Sequence, residues 1–140
     1  MPDPVRRKEI PKPNGGVRKL GIPTVVDRVI QQAIAQKLQN IWEPLFSDSS
    51  YGYRPKRSAG QAIQKVKEYA EEGYRYAVSV DLSKYFDTLN HELLMNLLHK
   101  QIQDMRVLSL IKKYLKSGVM ENGVVCKTEE GSPQGGLCQA

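Results

Sequence analysis

Short β-prone runs lie near both ends of this chain, and apolar residues at helical spacing lie between them. The first two runs, 6–12 and 17–22, flank a turn at 13–16 that reads Pro-Asn-Gly-Gly. Asn-Gly is a strong hairpin signal, because both residues tolerate the positive φ angles of a tight turn. We therefore predict a β-hairpin over the first 22 residues.

Four stretches repeat apolar residues every three or four positions, the spacing that places them on one face of a helix. Each stretch begins at a residue whose side chain can cap a helix N-terminus. Pro44 is predicted to end the first helix and Gly73 the second, because proline cannot continue a helix and glycine favours the position after one. The predicted caps are Thr24, Ser58, Asn90 and Asp104.

Two further β-prone segments complete the predicted elements. The first is the run 76–80, which Asp81 directly follows. The second is a hairpin predicted over 119–128 about an Asn-Gly turn. Helices mixed with antiparallel hairpins predict an α+β fold. A chain of 140 residues is long enough to bury a hydrophobic core.

The net charge of +6 is concentrated in the first part of the chain. Residues 1–57 hold 11 basic residues against five acidic ones, whereas the remaining 83 residues hold 10 of each. A concentrated basic surface favours a phosphate-bearing partner, because binding releases counterions from the phosphates. A basic face kept for solubility is the alternative.

Targeting and redox signals are sparse. No run approaches the roughly 18–20 apolar residues that span a bilayer, and the charged N-terminus has no apolar stretch behind it. We therefore expect no membrane partner and a cytoplasmic location. Cys126 and Cys138 lack a nearby histidine pair and are interpreted as reduced, incidental thiols.

The segment 76–92 carries the clearest chemical signal. Asp81 ends the β-prone run, and Phe86 follows five residues later. A carboxylate at the end of a strand can bind Mg²⁺, and an aromatic ring nearby can support a nucleotide sugar. The alternative is an ordinary strand followed by a turn with two solvated aspartates.

Four segments together resemble a known family. Residues 76–92 are similar to the first metal-binding motif in the palm of reverse transcriptases. Residues 9–33 and 50–60 resemble the first two blocks of group II intron reverse transcriptases, and residues 131–136, Gly-Ser-Pro-Gln-Gly-Gly, resemble the fourth. The segments follow the family order, so the chain resembles a group II intron-encoded reverse transcriptase/maturase.

This resemblance implies a reverse-transcriptase-like α+β fold with fingers and an incomplete palm. The fingers would comprise residues 1–73 and the partial palm residues 74–140. The implied enzyme is an RNA-directed DNA polymerase, a nucleotidyltransferase that uses Mg²⁺. The family's motif with the remaining catalytic aspartates lies downstream of the 131–136 block, so we expect this chain alone to be inactive.

The resemblance also assigns roles to individual residues. Asp81 would be the catalytic carboxylate and a metal ligand, with the backbone carbonyl of Leu82 as a second ligand. Asp87 is interpreted as structural. Phe86 would act as a steric gate against the ribose 2′-hydroxyl.

Several basic and polar residues have implied ligand contacts. Lys12 and Arg18 would close over the nucleotide triphosphate, and Gln134 would lie under the templating base and the nucleotide. Arg54 would either hold template or primer phosphates, as a predicted RNA-binding residue, or brace its own loop. Lys56 and Arg57 are predicted to bind RNA.

The implied partners are an RNA template or intron RNA, a DNA primer and deoxynucleoside triphosphates. One alternative is a non-catalytic RNA-binding splicing cofactor, and another is a retron-type reverse transcriptase. A homodimer is also expected, because a palm cut after one catalytic strand leaves apolar helix faces uncovered. These faces carry Leu94, Leu98, Ile111 and Leu115.

Overall fold

The computed structural model describes residues 1–13 and 15–132. Within them, four α-helices and a four-stranded mixed sheet confirm the predicted α+β class. None of these helices combines the length and the apolar character needed to cross a lipid bilayer. The strands are β1 (Val5–Pro11), β2 (Val17–Ile22), β3 (Val119–Glu121) and β4 (Val124–Cys126); the helices are α1 (Val25–Trp42), α2 (Ala59–Glu71), α3 (His91–His99) and α4 (Met105–Leu115), with a 3₁₀ turn at Glu43–Leu45.

The chain divides into two compact units. The first unit combines Met1–Ala35 with the described part of Ser83–Ala140, and the second is Gln36–Leu82. The first unit therefore contains the whole sheet, α3, α4 and the start of α1. The second contains the rest of α1, the 3₁₀ turn and α2. Assigning residues 1–73 to fingers and 74–140 to a partial palm remains a prediction.

The sheet of the first unit joins the two ends of the described chain. Its strand order is β2-β1-β3-β4. Both predicted hairpins are confirmed, since β1 pairs antiparallel with β2 and β3 pairs antiparallel with β4. The two hairpins meet where β1 runs parallel to β3, with Val5 opposite Val119.

The predicted caps are confirmed at all four helices. The Ser58 side chain accepts from the backbone N–H of Gln61, whose side chain in turn accepts from the backbone of Ser58. This reciprocal pair forms a complete capping box. The side chains of Thr24, Asn90 and Asp104 each accept one backbone N–H in the first turn of their helices.

The core of the first unit is small and includes a carboxylate. Its buried apolar residues are Val5, Ile102, Leu108 and Val119. Asp27, at the start of α1, is only 6% exposed and accepts hydrogen bonds from the Thr24 hydroxyl at 2.7 Å and the Tyr114 hydroxyl at 3.0 Å. Burial and this carboxylate raise the pKa of Tyr114 to about 12. Asp27 thereby joins α1 to α4.

The predicted strand at 76–80 is wrong. Residues 74–82 form neither helix nor strand, and Tyr76, Val78 and Val80 are 98%, 90% and 84% exposed. A strand needs a neighbour for its backbone N–H and C=O groups. No strand pairs with this segment within residues 1–13 and 15–132, so its β-branched composition alone does not form one.

The apolar faces of α3 and α4 are partly covered, because the two helices pack against each other. Two leucines of α3 remain open, with Leu93 61% exposed and Leu97 50% exposed. The side chains expected to be uncovered are instead half-buried, and these are Leu94, Leu98, Ile111 and Leu115.

Candidate functional site

Two segments that sequence reasoning singled out meet in the first unit. The backbone N–H of Ser132 donates to the carbonyl of Phe86 at 2.6 Å, and that of Gly131 donates to the carbonyl of Leu89 at 2.8 Å. Gly131 has φ +80°, and a Cβ there would lie 2.6 Å from the Asp87 carbonyl. Residues 131 and 132, the start of the fourth block, therefore pack closely against the loop that carries Phe86.

A buried histidine holds this junction from the side of α3. His91 is 3% exposed, and its Nε2 lies 2.6 Å from the carbonyl oxygen of Gly131. A carbonyl only accepts, so Nε2 carries the proton and donates it. Its Nδ1 is buried and has no hydrogen-bond partner among the described residues. Sequence reasoning missed His91, and its position directly after the Asn90 cap was the only local signal.

A cavity of about 180 Å³ opens beside the junction. Its lining combines one aromatic ring with two cations, two hydroxyl groups and two carboxylates. Its volume is below the roughly 300–1,000 Å³ of a pocket that encloses a whole small molecule, so this mixture of groups can contact only part of a nucleotide, such as its sugar. The lining residues are Arg7, Lys19, Phe86, Asp87, Val119, Thr128, Glu130, Gly131 and Ser132.

The β1–β2 hairpin contributes cations to this cavity, but not the two that sequence reasoning selected. Arg7 and Lys19 line it. Arg18 is opposite Ile10 and therefore points to the other face of the hairpin, because side chains alternate along a strand. Lys12 is exposed just beyond β1. A contact of Lys12 and Arg18 with a triphosphate remains a prediction.

The predicted metal ligands lie in the second unit. Asp81 and Leu82 are exposed and belong to the irregular segment 74–82. Nowhere in 1–13 or 15–132 do three or more His, Cys, Asp or Glu side chains come together in a group that could hold a metal ion. The described residues therefore do not fit a complete Mg²⁺ site, and metal binding at Asp81 remains a prediction.

Arg54 is enclosed by its own loop. Its side chain is 6% exposed and pairs with the Glu43 carboxylate at 2.8 Å. The guanidinium also donates to the carbonyls of Ser47 at 2.6 Å and Ser50 at 3.0 Å, and it lies over the Phe46 ring. Its hydrogen bonds hold the pKa of Glu43 below its ordinary value. Of the two roles left open for Arg54, this geometry favours bracing.

The braced loop presents the other two predicted RNA-binding residues. Lys56 is exposed, and Arg57 is half-exposed over the Tyr51 ring with a 3.3 Å contact to Asp48. Lys56 has φ +60° and Tyr53 has φ +54°, which non-glycine residues rarely adopt. Arg54 therefore stabilises a loop whose backbone is strained. Gln134, the remaining predicted contact, lies outside the described residues.

The family model described as "Reverse transcriptase (RNA-dependent DNA polymerase)" matches residues 10–138. Protein YkfC of Escherichia coli (strain K12) is 43% identical over 141 residues, which cover 98% of this chain and 37% of that protein.

Intron-encoded proteins are similar over almost the same stretch. The group II intron-encoded protein LtrA of Lactococcus lactis subsp. cremoris is 44% identical over 138 residues, covering 97% of this chain and 23% of LtrA. The putative COX1/OXI3 intron 2 protein of Saccharomyces cerevisiae is 36% identical over 96% of this chain and 16% of its own length. The chain thus spans well under half of each of these relatives.

Proposed function

Because this chain belongs to the reverse transcriptase (RNA-dependent DNA polymerase) family, we propose that it forms part of the nucleotide pocket and RNA-binding surface of a group II intron-type polymerase. The similarity to LtrA over 97% of the chain supports this type. The complete reaction is RNA-directed synthesis of DNA from deoxynucleoside triphosphates on a DNA primer.

The observation that carries the proposal is the cavity beside Phe86. Its ring lines the cavity, and its carbonyl receives the Ser132 N–H at 2.6 Å. The ring therefore belongs to a loop that a second segment holds in place. A fixed aromatic wall can reject a substrate by exclusion, because an additional hydroxyl group would overlap the ring. We assign Phe86 to selection against the ribose 2′-hydroxyl.

RNA is the proposed macromolecular partner. LtrA carries the name of a group II intron-encoded protein, and the yeast relative is named for a COX1/OXI3 intron. The net charge of +6 supports a polyanionic partner for this chain. Exposed Lys56 and half-exposed Arg57 would contact the RNA, while Arg54 would support their loop.

Asp81 is the proposed metal ligand of the polymerase, with the carbonyl of Leu82 beside it. Reverse transcriptases in general use Mg²⁺ as a cofactor, and a two-ion site requires several carboxylates. Since the described residues do not complete such a site, the 140-residue chain is expected to be inactive by itself. Primer extension on poly(A)/oligo(dT) with Mg²⁺ should give no incorporation, and incorporation by the pure chain would contradict this proposal.

The gate is tested in a longer polymerase that contains residues 1–140. Phe86→Ala should admit ribonucleotides, measured as an increased kcat/KM for ribonucleotides relative to deoxynucleotides. Tyr85→Ala is the matched control. The Tyr85 ring packs edge-on against the Phe86 ring, with 5.3 Å between the ring centroids, but it does not line the cavity. If Phe86→Ala discriminated between ribonucleotides and deoxynucleotides as well as the unmodified polymerase does, the ring would have only a packing role.

The carboxylate is tested in the same polymerase. Asp81→Asn should abolish synthesis and leave RNA binding nearly intact, because Asp81 is exposed and supports no other described element. Persisting synthesis by this variant would remove Asp81 from the proposed site.

A further inference from the structure

Among the described residues, three hydrogen bonds join the start of the fourth block to the Phe86 loop and the first turn of α3. Two of them are backbone bonds, donated by the N–H groups of Gly131 and Ser132. The third is donated by His91 Nε2 to the carbonyl of Gly131 at 2.6 Å. Only this third bond uses a side chain, so it is the one that a substitution can remove without changing the backbone.

His91 lies behind the wall of the cavity. Phe86, Gly131 and Ser132 all line the cavity, whereas His91 does not. The histidine is also only 3% exposed. A nucleotide in the cavity would therefore meet the residues that His91 holds, but not the imidazole itself. Any effect of His91 on a nucleotide must pass through the position of these lining residues.

The imidazole is itself fixed at the start of a capped helix. His91 is the first residue of α3 and directly follows Asn90, whose side chain accepts from the backbone N–H of Leu93. Its Nδ1 is buried and has no hydrogen-bond partner in the described part of the chain. The ring therefore acts through Nε2 alone, and the capped end of α3 provides the anchor from which Nε2–H holds Gly131.

The loop that carries Phe86 contains a strained turn. Lys84 has φ +54°, and its carbonyl accepts from the backbone N–H groups of Asp87 and Thr88. Non-glycine residues rarely adopt this conformation, and it persists only where surrounding contacts hold it. The bonds to residues 131 and 132 are contacts of this kind. Weakening them would let the loop relax and the Phe86 ring move.

We propose that His91 is a positioning residue for sugar selection: by holding Gly131, it keeps the Phe86 ring where the ring excludes a ribose 2′-hydroxyl. This role rests on the proposed function and adds a residue that does not touch the nucleotide. A group that selects by contact must be held to within about 0.5 Å. A loosened support should therefore reduce the selectivity of the polymerase even where synthesis continues.

The test uses variants of His91 in a longer polymerase that contains residues 1–140. The readout is kcat/KM for a deoxynucleotide divided by kcat/KM for the matching ribonucleotide. His91→Ala should lower this ratio about tenfold, since a displacement of about 1 Å can change a rate by about 100-fold. The ratio does not depend on how much of the enzyme is folded, because both nucleotides are measured on one preparation.

His91→Gln and His91→Asn separate the hydrogen bond from the bulk of the side chain. The amide nitrogen of His91→Gln reaches the position of Nε2 and can donate to the Gly131 carbonyl, so the ratio should stay close to that of the unmodified polymerase. The amide nitrogen of His91→Asn corresponds to the unpartnered Nδ1 and stops short of the carbonyl. This variant should behave like His91→Ala. Equal ratios in His91→Gln and His91→Asn would overturn the proposal.

A double variant shows whether the effect passes through the gate. Phe86→Ala/His91→Ala should have the same ratio as Phe86→Ala alone, because without the ring there is no ring position to lose. A further fall in the double variant would mean that His91 acts elsewhere, and it would overturn the proposal.

Tyr114→Phe is the matched control for a general loss of stability. It removes a hydrogen bond to Asp27 elsewhere in the first unit. The ratio should be unchanged in this variant. An equal fall in Tyr114→Phe and His91→Ala would show that destabilisation alone lowers selectivity, which contradicts a positioning role.

The position of the ring can be followed in the 140-residue chain itself. The chain has two phenylalanines, Phe86 and Phe46, and Phe46 belongs to the second unit. After incorporation of 4-fluorophenylalanine, the ¹⁹F resonance of Phe86 should shift in His91→Ala and return in His91→Gln. The resonance of Phe46 should stay in place as the internal reference. An unmoved Phe86 resonance in His91→Ala would overturn the proposal.

Failure of this inference is distinguishable from failure of the proposed function. If Phe86→Ala left the ratio unchanged, the gate would fail and the positioning role of His91 would fail with it. If Phe86→Ala lowered the ratio and His91→Ala did not, the gate would stand and only the role of His91 would be overturned.

Discussion

His91 Nε2 donates a 2.6 Å hydrogen bond to the carbonyl of Gly131, forty residues further along the chain. Gly131 in turn donates to the carbonyl of Leu89, and its neighbour Ser132 donates to that of Phe86. One buried imidazole thus fastens the start of the fourth sequence block to the loop that carries the proposed gate. Local stability at this junction bears directly on the position of the Phe86 ring.

Removing the imidazole should destabilise the fold. We expect His91→Ala to lower the free energy of unfolding by about 1–3 kcal/mol, because the buried Gly131 carbonyl loses its donor. His91→Gln should recover part of this loss, since its amide can donate to the same carbonyl. Urea unfolding provides the measurement, and His99→Ala is the control because His99 is exposed. Equal effects of the two alanine variants would contradict a role for the hydrogen bond.

The close approach at Gly131 gives a second test. Gly131→Ala and Gly123→Ala introduce the same Cβ at φ +80° and +82°, so both should suffer a similar backbone strain of about 1–2 kcal/mol. Only at Gly131 does the new Cβ meet backbone, 2.6 Å from the Asp87 carbonyl; at Gly123 no described atom lies within 4 Å. Gly131→Ala should therefore cost about 1–3 kcal/mol more in urea unfolding. No difference between the two variants would argue against the tight contact.

The hydrogen bond between Tyr114 and Asp27 predicts a pH dependence at the alkaline end. The pKa of Tyr114 is raised from 10.0 to about 12 in the folded state. The stabilisation that the Tyr114–Asp27 hydrogen bond gives to the folded state is fully present below pH 10. As the pH rises towards 12 the unfolded chain loses the phenol proton while the folded chain keeps it, so stability falls.

Tyr114→Phe isolates this contribution from the other groups that titrate at high pH. The variant should be about 1–2 kcal/mol less stable at neutral pH, because the phenol donates to a charged acceptor. The difference between wild type and variant should shrink between pH 10 and 12. Thermal or urea unfolding across this range measures it, and a constant difference would contradict the raised pKa.

The bracing role of Arg54 predicts that charge alone cannot replace it. Arg54→Lys keeps the charge but loses the hydrogen bonds to the carbonyls of Ser47 and Ser50, so we expect a lower Tm. Arg57→Lys is the matched control, since its partner Asp48 is fully exposed and a surface pair contributes little. A Tm that fell equally in both variants would count against the brace.

Self-association is the last prediction. Leu93 and Leu97 expose an apolar face of α3, and residues 76–80 leave β-prone side chains uncovered. Such surfaces favour contact with a second copy. Light scattering across a concentration series should show a species above 15.8 kDa. A strict monomer at high concentration would contradict the expected homodimer.

Interactions that act within a few residues were determined by the sequence itself. The capping pair of Ser58 with Gln61 spans three residues, and the β3–β4 hairpin turns at Asn122 and Gly123 with φ +51° and +82°. Caps and tight turns depend on neighbouring side chains and on allowed φ angles, both of which a sequence displays. The family resemblance likewise followed from short segments in order.

Only the tertiary structure decided contacts between distant residues. Tyr114 and Asp27 are 87 positions apart, and their hydrogen bond exists because packing brings α4 to the start of α1. The register of β1 with β2 is of the same kind, since a shift of one residue would move Arg18 to the other face. Composition shows how many charges a hairpin has, whereas pairing shows which of them share a face. The β propensity of residues 76–80 did not make them a strand, because a strand forms only where another strand pairs with its backbone hydrogen-bonding groups.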